Sequence, residues 1–132
     1  MAKFETCAPV KHGIPPIPLT VANTDVVYSD SFVLIRKNFF GLEVQFSSDT
    51  DVNVQVDLEQ SNVKETTPNV ADSNFVVAID EIDTITDENV HLLAVAPVVA
   101  IYARLKLTGL STGIGNSATT KLIRANWLEV EA

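Results

Sequence analysis

The sequence predicts an all-β protein: an antiparallel β-sandwich, jelly-roll-like or Ig-like, of about seven or eight strands behind an extended N-terminal arm. Two segments alternate cleanly. In residues 100–108, Ile101, Ala103, Leu105 and Leu107 fall on one face and Tyr102, Arg104, Lys106 and Thr108 on the other. In residues 52–59, Val52, Val54, Val56 and Leu58 alternate with Asn53, Gln55, Asp57 and Glu59. Period two marks half-buried strands, with one set of side chains in a core and the other free for water or a partner. No stretch sustains the period of a helix.

Residues 1–18 carry four of the six prolines, and GIPPIP can enter neither a helix nor a central strand because proline lacks the amide donor. They are expected to form an arm laid over a neighbouring subunit, with Ile14, Ile17 and Leu19 as apolar anchors and Pro15, Pro16 and Pro18 in the same interface lowering the ordering cost, and with residues 19–132 as a single sandwich domain. From Leu19 to Tyr28 comes a strand pair interrupted at Asn23-Thr24-Asp25, whose side chains favour turns. Ser31–Lys37 is β-rich, Asn38–Gly41 reads as a turn, and Leu42, Val44 and Phe46 open a meander. After the alternating segment at residues 52–59, the polar stretch 60–73 with Pro68 reads as a long loop. Phe75–Ile79 is a short strand.

In DEIDTITDENVHLL, Ile82 and Ile85 stand three apart behind acids, so one or two helical turns are expected. Leu92–Val99, apolar except for Pro97, reads as a bent entry into the strand that follows. GLSTGIGNS at 109–117 is a glycine-rich turn, and Ala118–Val130 closes the chain with Trp127, Leu128 and Val130.

Composition excludes several function classes. The chain has 132 residues, one ordinary domain, with 46% hydrophobic and 20% charged residues. Such a composition has too much apolar surface for a disordered chain. The net charge of -8 disfavours nucleic acid, whose phosphates need clustered Lys and Arg, and no polybasic run suggests a membrane surface. No run approaches the roughly 18 apolar residues of a membrane span, and MAKFETCAPVKHG has no apolar signal core. The single cysteine, Cys7, permits no intrachain disulfide, and no Cys/His grouping has zinc spacing.

Two textual matches to catalytic motifs lie in the glycine-rich turn. Gly109-Leu110-Ser111-Thr112-Gly113 fits G-x-S-x-G, but a nucleophile elbow needs a helix after the serine and, in its usual order, a later histidine; the last is His91. Gly113-Ile114-Gly115-Asn116-Ser117-Ala118 fits the dinucleotide fingerprint, but too little chain follows for its βαβ unit. Acids at Asp80, Glu81, Asp83, Asp87 and Glu88, and at Asp49 and Asp51, could offer oxygens to calcium, yet neither stretch has the glycine and terminal glutamate of an EF-hand, and solvated turns are the simpler reading. His12 and His91 have no partner identifiable from spacing. The expectation is a protein without catalytic residues, metal or cofactor. Tyr102, Arg104 and Lys106 on an outward face, together with Trp127, are the candidate interface.

The strand GLEVQFSS, the strand DVNVQVDLEQSN leading into a polar loop, and PVVAIYARLKLTG followed by GNSATTKL resemble small β-sandwich auxiliary virion proteins of tailed bacteriophages, of the capsid decoration or cement type. The resemblance spans most of residues 41–122. It implies a noncatalytic protein made in the host cytoplasm and resident in the virion. Its partners would be itself, often as a trimer, and the major capsid protein or other virion subunits. A carbohydrate-binding or adhesion module, and a tail or head-tail component, are the alternatives.

Overall fold

The computed structural model describes residues 2–6, 19–33, 37–48, 52–95, 100–111 and 117–130, and all regular structure among them is β. The strands are β1 (Ala2–Thr6), β2 (Thr20–Ala22), β3 (Val26–Tyr28), β4 (Phe32–Val33), β5 (Lys37–Ser48), β6 (Val54–Ser61), β7 (Val76–Ile85), β8 (His91–Val95), β9 (Tyr102–Gly109) and β10 (Ser117–Val130). They form two antiparallel sheets. The first runs β1-β10-β5-β8 with β2 also on β10, and the second runs β3-β9-β6-β7 with β4 also on β9.

The two alternating segments are the centre of the second sheet. Leu105 pairs with Leu58 and Leu107 with Val56, so the apolar sets of β9 and β6 line one face together. Val54, Val56, Leu58, Ala103, Leu105 and Leu107 are all essentially inaccessible to solvent. Val21, Val44, Phe46, Leu93 and Ala118 from the first sheet join them in a single core, giving a sandwich-like arrangement. Each such Val or Leu contributes roughly 1.5–3 kcal/mol on leaving water.

The predicted turn at Asn23 joins β2 in one sheet to β3 in the other. Asn23 adopts φ 49, the left-handed region that Asn tolerates, and the Asp25 amide donates to the Ala22 carbonyl at 2.8 Å. The turn rests directly on Gly109. A Cβ there would lie 2.0 Å from the Asn23 carbonyl oxygen, so only glycine lets the two backbones meet, and the Gly109 amide donates to the Asp25 carbonyl.

Several expectations are corrected. Asn38–Gly41 is strand: Phe39, Phe40 and Gly41 pair with Leu128, Trp127 and Asn126 of β10, and pairing on both sides overrides the local turn preference. The expected helical turns after Ile79 are also strand. β7 continues to Ile85 through a bulge at Glu81, φ 48, where the Glu81 amide donates 2.7 Å to buried Asp57. The bulge lets both Ile82 and Ile85 approach the core, which is why their spacing mimics a helix. His91–Val95 does not lead into β9 within one sheet; it pairs with β5 in the other. Ala2–Thr6, expected in an arm laid over a neighbouring subunit, pairs with Asn126–Val130 of its own chain. Residues 7–18, including Ile14, Pro15, Pro16, Ile17 and Pro18, lie outside the described residues.

Candidate functional site

The outer face of the β3-β9-β6-β7 sheet carries the chemistry. Antiparallel register places Glu59 of β6 opposite Arg104 of β9, and Asp57 opposite Lys106. Arg104 was expected on an exposed face. Instead its side chain is 1% exposed, because the loop at 62–75 folds across the sheet above it. Its Nε donates to Glu59 Oε1 at 2.8 Å and its Nη1 to the Val70 carbonyl of that loop, also at 2.8 Å. The guanidinium carbon sits 4.3 Å from the Tyr28 ring centroid and 4.4 Å from that of Phe75. Nη2 is shielded from solvent without a hydrogen-bond partner among the described residues, so these π-faces are its surroundings.

The loop is tied down elsewhere too. Asn69, at φ 62, donates through Nδ2 to the Tyr28 carbonyl and to Asp30 Oδ1, both at 2.9 Å. Ser31 Oγ donates to Glu65 Oε1 at 2.8 Å, and Asn62 Oδ1 accepts from the Ile101 amide. Phe75, whose amide donates to the Asp72 carbonyl, is buried at the loop's end. Beside these ties lies an open cleft of about 560 Å³ lined by Asp30, Ser31, Lys64, Glu65, Thr66 and Pro68.

A second cluster sits at the opposite end of the sandwich. His91 was read as lacking a partner, yet its Nδ1 lies 2.9 Å from Asp83 Oδ2 and its Nε2 2.8 Å from Asp87 Oδ1. The hydrogen bond to Asp87, and behind it that to Asp83, raises the His91 pKa above its ordinary value against the opposing effect of burial. His91 in turn lowers that of Asp87, helped by the Asn89 amide. No group of three or more His, Cys, Asp and Glu among the described residues is placed to hold a metal ion.

Of the predicted interface residues, Tyr102 and Lys106 are half-buried on the same strand as Arg104. Trp127 is known by its register alone, between Glu5 of β1 and Phe40 of β5. The fold does not bring it onto the strand of the other three. Sequence reasoning missed Glu59 as the partner of Arg104, and it read Asp83 and Asp87 as solvated acids or calcium ligands without pairing them with His91. Glu59 became Arg104's partner through register, which no local pattern reveals, whereas the Asp-x-x-x-Asp-x-x-x-His spacing from 83 to 91 was a visible signal.

No protein-family model matches this chain, and no curated protein matches it either.

Proposed function

We propose that the chain is a non-enzymatic structural protein of a bacteriophage virion, a capsid decoration or cement protein that binds and stabilises the shell as an oligomer. The observation that supports it best is the strand order. β3 and β4 pair in tandem with β9 and count as one interrupted strand. The layers then read β2-β10-β5-β8 and β3/β4-β9-β6-β7, with β1 beside β2 on β10, and we take this order as support for a jelly-roll reading of the sandwich. Viral capsid proteins and lectins both use that architecture. The resemblance of residues 41–122 to auxiliary virion proteins favours the first. The drawn-together charged groups, Arg104 with Glu59 and His91 with its two aspartates, are spent on one another, which suits a scaffold.

The mechanism is mechanical. A rigid sandwich presents several surfaces, and repeated weak contacts across a lattice multiply affinity without chemistry. The polar cleft at Asp30, Ser31, Lys64 and Glu65 favours a second reading, a saccharide-binding module. Light scattering during size exclusion, paired with co-sedimentation on phage shells and a glycan array, separates the two. An oligomer that sediments with shells is expected. A monomer with no affinity for shells or tails overturns the proposal, and glycan binding that survives deletion of residues 1–18 supports the second reading.

A further inference from the structure

We propose that Asp83, Asp87 and His91 form a proton-operated latch that closes the turn at residues 86–90 and fastens the end of β7 in one sheet to the start of β8 in the other.

The argument starts from donor count. An ionised carboxylate only accepts hydrogen bonds, and a neutral imidazole has a single N–H. His91 meets a carboxylate oxygen at each ring nitrogen, at 2.9 and 2.8 Å, so both bonds exist only when the ring carries both protons. Loss of one proton turns a lone pair toward a carboxylate, and one bond becomes a repulsion.

Position makes this a latch. Asp83 lies on β7, two residues from fully buried Ile85, and His91 opens β8, where it pairs with Val44 of β5. Between them Asp87 Oδ1 also accepts from the Asn89 amide, which shapes the turn. Gln45 of β5 donates through Nε2 to the Glu88 carbonyl at 2.9 Å, docking the turn on the first sheet.

Among the described residues, the charged groups of β7 and of the turn around the ring are acidic, Asp83 and Glu81 on β7 and Asp87 and Glu88 in the turn, whereas Glu43 of β5 shares the outer face with exposed Leu92 and His91 the inner face with buried Val44. Glu81 is partly occupied by the Thr84 hydroxyl, which donates to its Oε1. The imidazolium is a cation set among carboxylates. Its deprotonation therefore both removes a bond and leaves like charges facing one another. The raised pKa of His91 and the lowered one of Asp87 agree with this geometry.

The test is an NMR titration of the intact protein in which His91 ring resonances and the amide exchange of residues 86–91 are followed together. His91 is expected to titrate above the ordinary histidine value of 6.5. Protection of the Asn89 and His91 amides, corrected for intrinsic rates, should fall by about tenfold or more as pH rises through that titration. Asp87→Asn, a change at an exposed turn residue that leaves the core untouched, should lower the His91 titration and blunt the pH dependence of exchange. Asp83→Asn should act in the same direction. A His91 that titrates at or below the ordinary value, or turn protection that is flat across its titration, overturns the latch. So does an unchanged titration in both aspartate variants.

Discussion

Two ion pairs at nearly identical distances, Arg104 with Glu59 and His91 with Asp87, both at 2.8 Å, serve the sandwich in different ways. The first is almost wholly buried, 1% and 8% exposed, under a loop and between aromatic rings. The second lies at the rim, 23% and 47% exposed. Arginine keeps its charge at any ordinary pH, so the buried pair is a permanent fixture that holds the loop at 62–75 to the sheet. Histidine's charge can be removed, and its exposed partners limit what the pair contributes. Burial sets the cost of breaking a pair, and the identity of the cation decides whether pH can break it.

The largest expected effect follows from that burial. Arg104→Leu leaves the Glu59 carboxylate without its cation beneath Phe75, and breaking such a pair costs about 3–5 kcal/mol. Replacing both partners by apolar residues removes the orphaned charge, so the Arg104→Leu/Glu59→Leu double variant should recover most of the loss in urea unfolding. A double variant no more stable than the single one would show that the arginine acts through its loop contact to Val70, and the comparison would lose its basis.

Gly109→Ala comes next, at about 1–3 kcal/mol, because a methyl group must displace the backbone of the Asn23 turn. Its effect should appear at the β2–β3 crossing and leave both ion pairs intact, measurable as amide shifts confined to residues 20–28 and 107–111. Shifts at Arg104, at the far end of β9, would instead mean that the two ends of the sandwich are coupled.

How much of this was visible in the sequence differs between the regions. Alternation at Val54-Val56-Leu58 and Ala103-Leu105-Leu107 identified the core strands, since period two is a local property of the chain. The same pattern placed Arg104 opposite the core but could not say what covers it. That depends on a loop whose course is set by Asn69 and by register with Glu59, both nonlocal. Turn signals succeeded at Asn23, where the chain crosses between sheets, and failed at Asn38–Gly41, where two neighbouring strands claim the backbone. The helical spacing of Ile82 and Ile85 came from a bulge, which has no periodicity of its own.

A smaller effect isolates the loop from the pair it covers. Asn69→Ala removes two side-chain hydrogen bonds and places alanine at φ 62, for about 0.5–1.5 kcal/mol. Asn69→Gly removes the same bonds while relieving the backbone, so it should be the less destabilising of the two. Equal losses in thermal unfolding would assign the whole effect to the hydrogen bonds.

The smallest effect is the most diagnostic, because it depends on pH. His91 has a raised folded-state pKa, so its contribution is complete below the ordinary value of 6.5 and disappears as pH rises through the raised value. Asp87, whose pKa is lowered, contributes above its ordinary value of 3.8 and stops doing so as pH falls through the lowered one. The rim pair therefore stabilises the fold in the window between these two titrations. His91→Gln should lower the unfolding temperature within that window by an amount equivalent to less than about 1 kcal/mol, and should match the parent protein above it. Arg104→Leu, measured beside it, should show a large loss that stays constant across the His91 titration, because an arginine does not titrate there. A His91→Gln deficit that persists at alkaline pH would mean the ring acts by packing, and the rim would then resemble the buried pair more than its exposure suggests.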